Sequence, residues 1–125
     1  GTQDQNVIMI KIDSIGSQQW IKDRLSDDFS IEELAADMAV SKRTLNRRFR
    51  QHLKESPQGY IQQVRMEKAR ELLSTTTMPL STVILACGYQ DESAFRRRFK
   101  RLNSLSPKHY RQQFSHKEAF TLNYQ

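Results

Sequence analysis

The chain holds a single cysteine, Cys87, among 125 residues. No internal disulfide can form, and zinc clusters built on several cysteines are excluded with it. This cysteine usage fits a reducing compartment. Glycine and proline are sparse, at four and three residues, and no glycine-rich phosphate-cradling loop is present. The three histidines, His52, His109 and His116, have no mutual metal-ligand spacing and read as surface residues. No Ser/His/Asp set or carboxylate pair is placed for catalysis, so neither an enzyme nor a metal or cofactor is expected. No apolar run approaches the ~18 residues of a membrane span, and no signal-peptide pattern opens the chain. A cytoplasmic location and no membrane partner are the expectation.

Acidic residues are few where basic ones gather. The formal net charge is +6 and the pI about 9.7. Residues 41–50 carry Lys42, Arg43, Arg47, Arg48 and Arg50 with no acid. Residues 91–101 carry Arg96, Arg97, Arg98, Lys100 and Arg101 against Asp91 and Glu92. These segments are net +5 and +3, which leaves −2 for the rest of the chain. A charge needed only for solubility would be dispersed. This one is concentrated at two equivalent places and points to a polyanion.

The two places belong to a pattern that occurs twice, Ile31 to Phe49 and Leu80 to Phe99. Each copy has an apolar helix-like stretch, a break, a capping residue, and a second stretch with apolar residues four apart and arginines between. That is how a helix-turn-helix reads in sequence, with the basic second helix placed to read DNA. Repetition strengthens a motif that is weak when single. Leu80 follows Ile31 by 49 residues and Phe99 follows Phe49 by 50, so the second turn is one residue longer. Arg47 then matches Arg97, and Asn46 matches Arg96.

The periodicities predict an all-α chain of about seven helices. Trp20, Ile21 and Leu25 have helical spacing. Ser30 caps a helix with Glu33 at the capping-box position and Leu34, Ala35 and Met38 inside. Ser41 caps the next, where Leu45, Phe49 and Leu53 share one face and Arg43, Asn46, Arg47 and Arg50 point away. Ser56-Pro57 opens a long connector to about Ser74, with Tyr60, Ile61, Val64, Ala69, Leu72 and Leu73 largely inside. At ~1.5 Å per residue it is a rod about 27 Å long, comparable with one turn of DNA at ~34 Å. In the second unit Leu80, Val83, Ile84 and Cys87 are inner, Gly88-Tyr89 turn, and Asp91 caps. Phe95, Phe99 and Leu102 form the next inner stripe, with Ser93, Arg96, Arg97 and Lys100 outward. Ser106-Pro107 opens a closing helix with Tyr110 and Phe114. The expected divisions are 1–16 a linker remnant, which includes the apolar Val7 to Ile12 stretch, 17–55 and 76–114 the two helix-turn-helix subdomains, 56–75 the connector, and 115–125 a polar tail.

These residues resemble the DNA-binding domain of the AraC/XylS family of bacterial transcription regulators over about residues 17–114. The carrying blocks are Gly88-Tyr89 through Phe95 and Phe99 to Arg101, then Ser106-Pro107 with Tyr110 and Arg111. To these add Ala39-Val40-Ser41 through Leu45 and Phe49, Ser56-Pro57 with Tyr60, and Val64 to Leu73. The resemblance implies two recognition helices in successive major grooves of double-stranded DNA. Carried over by position, Arg43, Asn46 and Arg47 read bases in the first unit, and Glu92, Ser93, Arg96 and Arg97 in the second. Ser41, Lys42, Arg48, Arg50, Arg65, Arg98, Lys100 and Arg101 are expected on phosphates, with His109 a weaker candidate. It further implies an activator or repressor, RNA polymerase as a partner, and an N-terminal effector or dimerisation domain outside this chain. Three departures stand out. Glu55 and Ser104 occupy positions where the family usually has glycine, so those turns are expected to avoid positive φ or to strain. Ile84 replaces a usually small alanine and is expected to push the helices of its unit apart. No sensing domain is within the chain.

Other readings are weaker. A DNA-repair methyl acceptor with a similar helix-turn-helix needs several cysteines. A basic module for an acidic protein partner would show no DNA sequence preference. Single-stranded RNA readers use exposed aromatic platforms, whereas Trp20, Tyr60, Tyr89 and Tyr110 read as core. Cys87 reads as a small inert hydrophobe.

Overall fold

A computed structural model describes residues 16–115. The expected linker remnant with its Val7 to Ile12 stretch, the polar tail from 116 and His116 lie outside the described residues. Within them the chain is helical throughout, with no strand. The order is α1 (residues 16–23), α2 (Ile31–Asp37), α3 (Lys42–Leu53), α4 (Pro57–Thr75), α5 (Leu80–Ala86), α6 (Glu92–Asn103) and α7 (Pro107–Phe114).

Caps set most of these boundaries. The Ser30, Ser41 and Ser106 hydroxyls accept from the backbone N–H three residues on, at Glu33, Thr44 and His109. Ser56 does the same for Gly59 at 3.1 Å, behind Pro57 in the first turn. The Asp91 carboxylate accepts from Ser93 and Ala94. Each bond satisfies an N–H that a helix start otherwise leaves orphaned.

Contacts divide the chain between Val64 and Arg65, inside the connector helix. In the first unit Trp20, Ile21, Leu25, Leu34, Ala35, Leu45, Phe49, Ile61 and Val64 form the core. Trp20 is fastened at its rim. Its indole N–H donates to Asp37 at 2.6 Å, Phe29 meets it edge-on at 5.0 Å, and the Arg24 guanidinium lies 4.3 Å over its ring. In the second unit Met66, Ala69, Leu73, Val83, Ile84, Cys87, Phe95 and Phe99 form the core. Met66, buried there, carries no signal in the α4 periodicity. The helix gives Ile61 and Val64 to one core and Met66, Ala69 and Leu73 to the other, so it has no single apolar stripe.

The sequence expectations need three corrections. Leu102 is 56% exposed rather than inner. α6 runs past the core there, and Asn103 turns inward instead. Its side-chain amide donates to Phe99 O at 3.0 Å, and its oxygen accepts from Arg70 at 3.1 Å. The second correction concerns the turns before each Ser-Pro. Ser104 does not avoid positive φ but sits at 60°, and the matching position in the first unit is Lys54 (φ 57°) rather than Glu55. Both are the left-handed ends of a recognition helix, where the chain reverses whatever the residue. The third concerns His52, which is half-buried with Nε2 shielded from solvent, rather than a surface residue. Ile84 is 1% exposed and part of the core.

Candidate nucleic-acid interface

Each helix-turn-helix closes its turn in the same way. In the first, α2 ends at a Schellman motif in which Val40 N–H donates to Ala35 O and Ala39 N–H to Ala36 O, both at 3.0 Å. In the second, Tyr89 N–H donates to Ile84 O at 3.1 Å and Gly88 N–H to Leu85 O at 3.0 Å. The motif requires a left-handed residue after the cap. Gly88 supplies it at φ 86°, and Ala39 takes it at φ 58°. The turns span residues 38–41 and 87–91, the second longer by one residue.

Beyond the turns the two recognition helices match position by position. Leu45 and Phe49, like Phe95 and Phe99, are buried; Thr44 and Arg48, like Ala94 and Arg98, are half-buried. Residues 41, 42, 43, 46, 47 and 50 are exposed, and so are 91, 92, 93, 96, 97 and 100. Every base-reading candidate (Arg43, Asn46, Arg47, Glu92, Ser93, Arg96, Arg97) thus lies on an exposed helix face. Among the phosphate candidates Ser41, Lys42, Arg50, Lys100 and Arg101 are exposed, while Arg48, Arg65 and Arg98 are half-buried. Arg43, Asn46 and Arg50 line two open grooves on either side of the outer face of α3. One is completed by Ile31, Lys42 and Ser56-Pro57-Gln58, the other by Thr44, Arg47, Gln51 and Lys54.

Ion pairs bias both faces, and linear sequence did not reveal the first of them. Lys42 donates to Glu32 of α2 at 2.8 Å, both side chains being well exposed. The Lys42 hydrogen bond, then the Glu32 backbone N–H and the Lys42 charge, hold the Glu32 carboxyl below its ordinary value. Arg96 lies 4.0 Å from Glu92 one turn earlier. His109 is exposed, with Nδ1 2.9 Å from the Ser106 hydroxyl. Cys87 is fully buried, and burial pushes its thiol up to about 11, which agrees with a packing role. Among the described residues no group of His, Cys, Asp and Glu could hold a metal ion, and no helix is long and apolar enough to cross a membrane.

Two helix-turn-helix units, each presenting a basic face opposite a buried apolar stripe, define a double helix-turn-helix DNA-binding domain. A family described as "Helix-turn-helix domain" matches residues 34–113. The chain belongs to this family, in its AraC/XylS branch of transcription regulators, which are not enzymes. It is 36% identical over 93 residues to the HTH-type transcriptional activator RhaS of Enterobacter sp. (strain 638), covering 74% of this chain and 34% of that protein. The chain therefore spans about a third of the length of the curated relatives it matches. Among solved structures, the C-terminal domain of AraT, a response regulator from Geobacillus stearothermophilus, aligns with TM-score 0.74 at 32% identity, covering 79% of this chain and 83% of that one. The DNA-binding domain of AdpA, a global transcriptional factor in complex with a target DNA, aligns with TM-score 0.73 at 33% identity, covering 80% and 90%.

Proposed function

We propose that this chain is the DNA-reading part of a bacterial transcription regulator that inserts α3 and α6 into successive major grooves of one duplex. The observation that carries this reading is the matched exposure of positions 43, 46, 47 and 50 with 93, 96, 97 and 100, which presents equivalent outward side chains on both helices. In the first unit Arg43, Asn46 and Arg47 read base edges. Arginine suits the guanine O6/N7 pair and asparagine the adenine N6/N7 pair. In the second, Arg96 and Arg97 read bases with Ser93, and Glu92 accepts from a cytosine amine or sets Arg96. Ser41, Lys42, Arg48, Arg50, Arg65, Arg98, Lys100 and Arg101 hold phosphates and fix register without reading sequence. The regulator works in the cytoplasm, contacts RNA polymerase, and takes its effector or dimer signal from a domain outside this chain. The RhaS relatives, named as activators, support activation as the sign of control.

The test is selection of bound duplexes from random DNA, followed by affinity measurements across salt. A defined site of about 20 base pairs should emerge. With roughly 5 to 8 phosphate contacts, log K should fall with log salt at a slope on the order of −5 to −7. Arg47→Ala or Arg97→Ala should cost about 1–3 kcal/mol and relax preference at one or two base pairs. Absence of any preferred sequence, together with tight binding to acidic proteins, would favour the protein-interaction reading instead.

A further inference from the structure

Two helices of the second unit, α4 and α6, bring an arginine each toward Tyr89. Arg65 stands on α4 with its Nε buried and without a hydrogen-bond partner among the described residues. Its guanidinium carbon lies 5.6 Å from the ring centroid of Tyr89, within cation–π range. Tyr89 is itself fixed. Its N–H closes the α5 turn, and its ring meets Phe95 edge-on at 5.3 Å. Arg98 is half-buried on α6, three residues past the Phe95 ring that Tyr89 meets. Burial raises the Tyr89 hydroxyl above its ordinary pKa, and the Arg98 and Arg65 charges offset part of the rise. Neither Arg65 nor Arg98 takes part in the Lys42–Glu32, Lys68–Glu71 or Arg96–Glu92 pairs. A half-buried guanidinium with an unaccepted donor is costly until an anion completes it.

We propose that Arg65, Tyr89 and Arg98 form a seat for a single backbone phosphate of the DNA, with Tyr89 as a positioning residue whose ring sets the plane of the Arg65 guanidinium. This inference rests on the DNA-binding reading above. Guanidinium forks match phosphate oxygens two at a time, and an aromatic face removes the rotational freedom that otherwise weakens such a pair. The ring precedes the Asp91 cap of α6 by two residues, so a phosphate held here registers the second reader on the duplex. The first unit has no such ring. The register of 49 places Val40 where Tyr89 stands.

Fluorescence anisotropy of the full chain, on a duplex selected from random DNA and on a scrambled one, tests the seat across salt. Arg65→Ala should weaken both duplexes about three- to ten-fold and flatten the salt slope by about one, whereas Tyr89→Leu, which removes no charge, should weaken both by a similar factor with the slope retained. Tyr89→Phe should bind like the parent chain. Tyr89→Leu should add less than about two-fold once Arg65 is alanine, because positioning has no meaning without the group positioned. Tyr89→Leu also disturbs packing on Phe95, so Arg65→Lys supplies a second reading that leaves the core intact. It keeps the charge but loses the planar fork, and should weaken both duplexes about two- to five-fold with the salt slope retained. Additive losses in the double variant, or parent-like binding by Arg65→Lys, would overturn the seat. A parent chain that binds no duplex would overturn the DNA reading itself, whereas normal parental binding with additive losses removes only the seat.

Discussion

Single side chains decide how strongly each face attracts DNA. Glu32 holds Lys42 at 2.8 Å beside the start of α3, on the face proposed to meet phosphate. A carboxylate held below its usual range stays ionised, and the pair is lost only as pH falls through that lowered value. At neutral pH, then, DNA must displace Glu32 from Lys42 or tolerate it. Glu32→Gln should tighten binding to all duplexes by a factor of about two to five, most at low salt, because screening weakens an exposed pair. Unchanged affinity at low salt would mean that Lys42 lies off the DNA path. At this scale the sequence was informative about direction and silent about partners. A 100° step from Leu45 and Phe49 was enough to place Arg43, Asn46, Arg47 and Arg50 outward, because a helix face is a local property. The Glu32–Lys42 pair and the Arg65–Tyr89 contact each join side chains from separate segments of a unit, which no periodicity predicts. Leu102 misled for a related reason. Angle alone placed it inside, yet the register of 50 that aligns Phe49 with Phe99 also aligns Leu53 with Asn103 and His52 with Leu102. That register matches the inward Asn103 to the partly buried Leu53, though not the exposed Leu102 to the half-buried His52.

α2, α3 and α6 are fixed by side-chain caps at one end and left-handed residues at the other, and both ends carry measurable energy. Ala39 and Gly88 fill the same Schellman position, but only glycine adopts positive φ without steric cost. Ala39→Gly should therefore raise the unfolding free energy by about 0.5–1 kcal/mol, and Gly88→Ala lower it by about 1 kcal/mol or more. Urea melts with unchanged m-values check both. A loss on Ala39→Gly would show that the methyl group packs better than the turn is strained. The buried stripes carry more. Phe49 meets Tyr60 edge-on at 5.7 Å, and Phe99 lies between Phe95 at 5.7 Å and Tyr110 at 5.5 Å. Phe49→Ala and Phe99→Ala should each cost about 3–5 kcal/mol, against a total stability of about 5–15 kcal/mol for a small domain. Circular dichroism at 37 °C should then show largely unfolded protein, and parent-like melting of either variant would place its ring outside the core. The starts of five of the seven helices could be read from capping residues and prolines because those signals sit within four residues of the boundary they set. The connector was harder to read. Its Met66 serves a different core from Ile61 and Val64, so no single stripe runs along the helix to reveal it.

For the molecule as a whole, the two units carry different charge over the same scaffold. Residues 41–50 are net +5, whereas Asp91 and Glu92 reduce 91–101 to +3. Glu92 also engages Arg96 on the exposed face of α6. The first unit should therefore anchor the complex and the second should adjust. When each half of a selected ~20 base-pair site is scrambled in turn, the half under the first unit should cost more by at least about 1 kcal/mol, the scale of one mismatch. Equal losses, or a larger loss under the second unit, would overturn this ranking while leaving the DNA-binding reading in place. The matched exposure of residues 41–50 and 91–100 reaches further than this ranking. In both helices the positions that hold the fold and the positions that meet solvent are disjoint sets, in the same places. The outward residues are thus a cassette, and the inward ones its socket. Arg43, Asn46 and Arg47 can be written into positions 93, 96 and 97, or the reverse, without touching a buried side chain. One scaffold can then be rewritten to a new operator half at a time, with Phe49 and Phe99 left in place beneath each exchange.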